Sequence, residues 1–296
     1  MDLEIQQAAF AGLDYWAFVA YGNDDPMSIA LSRYLSSSYR AQVKFCLFTE
    51  LTLWGSAGKL SPIVAEHIEL MKRPEYVRTN DGRPLYFLGF IDQNKISERW
   101  GTHATLREQI SSFRKDAVAA GVGNPYLVLA GTFSELTEWA SLGGDALGAY
   151  AISDIRGVGP YESLTKLTEQ RWKAISAAGL PVVPTVMTGW DRRPRVEHPV
   201  PWEHSQKVGQ GIDYYFGAAT PLELVEHLDH ALKYVAEQTS IQRAPTVLIY
   251  AWNENDEGGW LVPTIPCDTG RLQALHHFLR SNQDLSLNPR CTVRSP

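Results

Sequence analysis

The sequence predicts an α/β fold, a (β/α)8 barrel of the TIM type, and three observations carry that expectation. Short apolar runs recur along the 296 residues, amphipathic segments lie between them, and helix-like segments stop at a glycine just before a run begins. Ala11-Gly12-Leu13 precedes Asp14-Tyr15-Trp16-Ala17-Phe18-Val19-Ala20, and Ala120-Gly121-Val122 precedes Tyr126-Leu127-Val128-Leu129-Ala130. Ala178-Gly179-Leu180 stands in the same way before Val182-Val183-Pro184-Thr185-Val186. Glycine takes the left-handed conformation that ends a helix, and an apolar run without alternation suits a parallel strand buried on both faces.

Seven such runs fall near 13–21, 43–51, 85–91, 126–132, 146–152, 182–189 and 246–252. The clearest helix between them starts at Thr220, with Pro221 at the first helical position and Glu223 completing a capping box. Leu224, Leu228, Leu232 and Val235 are expected down one face of it. Leu106, Ile110, Phe113 and Ala117 form a second stripe. Asp81-Gly82 signals a hairpin joining a short strand near 76–79 to the run at 85. The stretch 191–219, with its prolines and weak periodicity, is expected to be a long loop on the working face. No Ser- or Gly-rich linker divides the chain, so one domain over 1–296 is expected. Because the chain opens on a helix-like piece that feeds its first run, the first strand of the barrel is expected upstream of Met1, or the barrel is open.

Composition narrows the function classes. A net charge of −6 with 27 scattered basic residues gives no footprint for nucleic acid. No apolar stretch reaches the ~20 residues that cross a bilayer, and the N-terminus lacks the basic region of a signal peptide, so a soluble chain with no export address is expected. Cys46, Cys267 and Cys291 are an odd, sparse set that gives no disulfide framework, and Cys46 reads as a small buried hydrophobe. Neither the cysteines nor the eight histidines have zinc spacing. Nine Trp and thirteen Tyr are the unusual feature, and indole faces suit sugar rings as well as cores.

In βα barrels the working groups sit at the C-terminal strand ends. The first run ends at Tyr21 with Asp24 and Asp25 behind it, the second at Glu50 with Trp54 four residues on, and the third at Asp92. The fifth carries Tyr150, followed by Asp154 and Arg156, and the sixth ends in Trp190-Asp191-Arg192-Arg193-Pro194-Arg195. A lone acid after a strand is as a rule a helix cap, and Asp191 with Arg193 fits either a binding role or a structural ion pair. The last run ends in Trp252-Asn253-Glu254 and continues to Asp256-Glu257-Gly258-Gly259-Trp260. Two carboxylates three residues apart, followed by glycines, can share one pocket and divide acid and base work. The alternatives are a solvated acidic loop, or a cation site built from Glu254, Asp256, Glu257 and Asp268.

The segment Tyr250-Ala251-Trp252-Asn253-Glu254-Asn255-Asp256-Glu257-Gly258 resembles the Trp-Asn-Glu-x-x-Glu-Gly signature of family 99 glycoside hydrolases and their relatives. Pro184 to Arg195 resembles the Pro-x-x-x-x-x-Gly-Trp-Asp-x-x-Pro-Arg segment of the same group, and Ala11 to Trp16 and Asp81-Gly82-Arg83-Pro84 resemble earlier landmarks. The resemblance implies a (β/α)8 barrel acting on α-linked sugars, of mannan or surface-polysaccharide type, with retention and without a metal or cofactor. It implies Glu254 as the base that takes the proton of the sugar 2-hydroxyl, giving a 1,2-anhydro sugar, and Glu257 as acid and then base. Asn255 departs from the family, in which that place is often aromatic. With Glu254 and Glu257 as catalytic candidates, the substrate-binding candidates are Trp252, Asn253, Trp260, Trp190, Asp191, Arg193, Tyr150, Glu50, Trp54, Asp92 and Tyr21. The partner expected is an oligo- or polysaccharide. Alternatives are a non-catalytic carbohydrate-binding barrel, or a glycosyltransferase, although no Gly-rich phosphate loop or Asp-x-Asp motif is present.

Overall fold

The computed structural model describes residues 1–131, 136–152, 157–200, 212–238 and 243–280. Seven parallel strands stand where the apolar runs predict them: β1 Tyr15–Ala20, β2 Lys44–Glu50, β3 Leu85–Ile91, β4 Tyr126–Gly131 and β5 Ala146–Gly148, then β6 and β7. Pro184, which cannot donate to a ladder, splits β6 into Val182–Val183 and Thr185–Met187, and β7 is Leu248–Tyr250. The ladders run in order from β1 to β5, on to the first piece of β6, and from its second piece to β7.

Helices cover this sheet. Gly12, Gly121 and Gly179 all have positive φ where helical segments end, which is the repeat seen in the sequence. Helix α1 (Asp2–Ala11) feeds β1, and the last helix, Gly270–Leu279, packs beside it, with Phe10 stacked on His276 at 4.3 Å. The helix Pro221–Glu237 has the predicted capping box, with Thr220 and Glu223 bonding reciprocally. One expectation on its face is corrected: Leu232 is exposed, and Ala231 takes its place in the buried stripe with Leu224, Leu228 and Val235. At 3.6 residues per turn, position 231 continues that stripe and position 232 turns about 100° away. The stripe of Leu106, Ile110, Phe113 and Ala117 is buried as expected.

The Asp81-Gly82 hairpin forms through a single antiparallel bridge from Arg78 to Pro84, while Tyr76 bridges in parallel to Phe45 of β2, so the short strand expected near 76–79 is reduced to isolated bridges. At the N-terminal face Asp145 binds Arg83 at 2.8 Å and Arg114 at 2.7 Å, a polar staple across the barrel floor. Cys46 is buried and free, as predicted. Cys267 is disulfide-bonded, although the sparse cysteine set suggests no disulfide framework. Among the described residues no helix is long and apolar enough to cross a membrane.

No ladder joins β1 to β7. Side chains bridge this seam instead: the Tyr15 hydroxyl meets Thr246 Oγ1 at 2.6 Å, and the Trp16 and Trp252 rings lie 5.3 Å apart. Residues 15–19 of β1 are accordingly half-buried, whereas the apolar residues of β2 are buried.

Two buried histidines tie helices to this core. His67 Nδ1 is 3.0 Å from the Tyr86 hydroxyl, which also accepts from Trp54 Nε1 and donates to Thr49. His227 Nδ1 is 2.8 Å from the Tyr161 hydroxyl. Burial pushes His67 down to about 4 and His227 down to about 3, so both are neutral in the fold. An unfolded histidine titrates near 6.5. The stability they contribute is therefore full above about pH 6.5 and is lost as pH falls toward 4, at up to ~1.4 kcal/mol per pH unit for each. Urea denaturation between pH 7 and pH 4.5 should show this fall, and His67→Gln should flatten it.

Candidate active site

The loop after β7 is a tight hairpin. Asn253–Glu254 pairs antiparallel with Gly259–Trp260 across a 3-10 turn formed by Asn255–Glu257. Gly258 closes the turn at φ +76, and a Cβ there would lie 2.5 Å from the Asp191 nitrogen. That close approach allows the Asp191 N–H to donate to the Glu257 carbonyl at 2.8 Å. Thr188, at the end of β6, donates its hydroxyl to the Tyr250 carbonyl at 2.9 Å and accepts from the Trp260 N–H at 3.0 Å. The hairpin is thus seated on the segment that follows β6.

That seating brings both glutamates to one cation. Arg195, on the short helix Arg193–Glu197, donates to Glu257 Oε1, to Glu254 Oε2 at 3.3 Å and to Asp256 at 2.8 Å. Arg192 Nε lies 3.3 Å from Glu257 Oε1. The remaining oxygens are met by tyrosines: Tyr150 donates to Glu254 Oε1 at 2.9 Å, and Tyr250 donates to Glu257 Oε2. Burial first, and the charge of Glu257 second, raise the Glu254 carboxyl above its ordinary value, while Tyr150 and Arg195 pull it down. The cation that these carboxylates hold is a guanidinium. Asp268, the fourth residue of the candidate cation site, instead accepts from the Gly270 N–H.

The other predicted residues divide. Tyr21 lies by the carboxylates: burial raises its hydroxyl, and Glu254 and Glu50 add to the shift. Glu50 pairs with Lys95 at 3.1 Å, and Asp92 caps the helix Gln93–Arg99 by accepting from the Lys95 N–H at 3.0 Å. Asp191 and Arg193 form an ion pair, 2.6 Å at its shortest, with Arg193 over the Tyr215 ring. Asn253 is exposed. Of the tryptophans, Trp54 and Trp190 are buried, and Trp252 and Trp260 are half-buried. Trp54 is fully buried against Phe113 rather than lining a pocket. Trp190 is buried beside Tyr250, Trp252 packs on Trp16, and Trp260 lies under Arg271. Asp24 and Asp25 are exposed, and Asp154 and Arg156 lie outside the described residues.

Nothing in the sequence marks Arg195, Arg192 or Tyr250 as site residues. Tyr250 belongs to an apolar run, and Arg195 stands in a basic segment with its partners Asp256 and Glu257 61 and 62 positions away in the chain. Among the described residues no group of His, Cys, Asp and Glu is arranged to hold a metal ion.

No family model matches the sequence, and no curated protein matches it. Solved structures share its fold. An endo-α-mannosidase of glycoside hydrolase family 99 from Bacteroides thetaiotaomicron is 17% identical with a TM-score of 0.56, over 94% of this chain and 77% of that one. A complex of the family 99 endo-α-mannosidase from that organism with bis-tris-propane is 16% identical with a TM-score of 0.55, over 95% of this chain and 82% of the other. The chain therefore has the (β/α)8-type barrel of family 99 structures.

Removing Arg195 leaves buried Glu257 without its nearest counter-charge. Arg195→Met should lower folding stability by about 3 kcal/mol. Asp256→Asn, on the exposed side of the clamp, should cost under about 1 kcal/mol. Urea denaturation of the two variants checks the contrast.

Proposed function

We propose that this chain is a retaining glycoside hydrolase acting on α-linked glycans of mannan or surface-polysaccharide type, with Glu254 as base and Glu257 as acid. The observation that carries this reading is the joint placement of both carboxylates at one guanidinium, at the end of the last strand. The shared fold with endo-α-mannosidase structures supports it.

In this reaction Glu254 takes the proton of the sugar 2-hydroxyl, and that oxygen attacks the anomeric carbon as the bond to the leaving oxygen breaks. Glu257 gives its proton to the leaving oxygen, which departs as an alcohol and leaves a 1,2-anhydro sugar. Glu257, now a carboxylate, takes a proton from water while the water oxygen attacks the anomeric carbon. The 2-oxygen recovers its proton from Glu254, and two inversions give retention. A base whose pKa is raised toward the working pH accepts a proton more readily, which agrees with the burial of Glu254. Tyr150 and Arg195 hold its ionised form in place.

One observation favours a second reading, carbohydrate binding without turnover. Glu257 has Arg195 on one oxygen and Tyr250 on the other, so a leaving group must displace one of them.

Hydrolysis of a panel of α-mannosides and related polysaccharides separates the two. Turnover by the wild type is expected, with Glu254→Gln and Glu257→Gln each losing about 100-fold or more in kcat. Activity should fall on acidification through the raised pKa of Glu254, because the base must be ionised. A folded wild type that binds glycan by calorimetry yet cleaves none of the panel would establish the second reading.

A further inference from the structure

Strand β3 breaks its ladder just below the site. Leu88 pairs with Leu129 and Ile91 with Gly131, so three steps on β3 face two on β4 and one residue is extra. Within this bulge Phe90 takes φ +53, a left-handed conformation that a bulky side chain adopts only when its surroundings impose it. The preceding position has no room for a side chain, since a Cβ on Gly89 would lie 1.9 Å from the Phe48 ring. Bulges at barrel rims redirect a side chain, and here the redirected one is aromatic.

The Phe90 ring packs 5.0 Å from Tyr150 and 5.8 Å from Phe48. Phe48 lies 5.2 Å from Tyr150, and Tyr250 meets it edge-on at 5.4 Å. Tyr150 is therefore held among three aromatic rings, and its hydroxyl donates to Glu254 Oε1 at 2.9 Å. A tyrosine pinned by its ring has little freedom left to aim its O–H. Of the three rings, Phe90 alone has positive φ, and Lys95 Nζ stands 5.6 Å from its centroid.

We propose that Phe90 is a positioning residue: the strained bulge sets the Tyr150 ring, and through its hydroxyl fixes the hydrogen bond to Glu254. The proposal deepens the reading of Glu254 as the base, but its test does not need turnover.

The titration of Glu254 can be followed by NMR of protein labelled with ¹³C at the glutamate carboxyls, its signal assigned by loss in Glu254→Gln. Tyr150→Phe removes a hydrogen bond to the ionised form and should raise the Glu254 pKa by about one pH unit, a tenfold gain in proton affinity. Phe90→Leu should raise it comparably, while Phe90→Tyr, which keeps the ring, should titrate with the wild type. Phe90→Gly accepts the positive φ without strain and removes the ring, so it serves even where Phe90→Leu fails to fold, and it should also titrate high. The proposal is overturned if Tyr150→Phe shifts and Phe90→Gly does not, or if Tyr150→Phe itself leaves Glu254 unmoved. A shift in both variants with no glycan turnover would sustain the positioning role while ending the glycosidase reading.

Discussion

One guanidinium sets the arrangement at the mouth of this barrel. The hairpin after β7 carries carboxylates at positions 254, 256 and 257, and like charges this close repel unless a cation stands among them. Arg195 is that cation, reaching all three from the segment after β6. Its side chain is only 11% exposed, so its pairs are screened far less than those of a surface arginine. The hairpin can present two glutamates to one place because this arginine offsets their repulsion. Backbone contacts then fix the orientation. Gly258 brings its turn against Asp191, and Thr188 holds both ends of the hairpin to β6.

The tyrosines complete the division between the two glutamates. Each receives a hydroxyl from a different strand end, Tyr150 after β5 and Tyr250 on β7. Both tyrosines belong to an aromatic floor with Phe48 and Phe90. Glu254 is raised mainly by burial. The floor thus surrounds Tyr150, whose hydroxyl meets Glu254.

Much of the fold was legible in the sequence because buried parallel strands leave continuous apolar runs, and glycines mark the helix ends before them. The capping box at Thr220 was equally plain, since its partners are three residues apart. The site was legible only where its residues are close in the chain, as Glu254 and Glu257 are. Tryptophans were harder to place. Trp54 follows β2 as a site residue would, yet the turn Leu51–Trp54 directs it inward to Tyr86. Trp252 fills the seam between β1 and β7, a use that no local pattern reveals. Arg195 was hidden because its partners are distant in sequence, and Phe90 because its importance lies in a backbone angle.

Retention by two glutamates does not depend on the identity of the sugar. Cleavage of an α-linked glycan followed by ¹H NMR in real time reports the anomer released first, before mutarotation mixes the two. The account predicts that the α-anomer appears first and the β-anomer only later. A β-anomer released first would mean that water displaces the leaving group directly, and would contradict the assignment of Glu254 and Glu257.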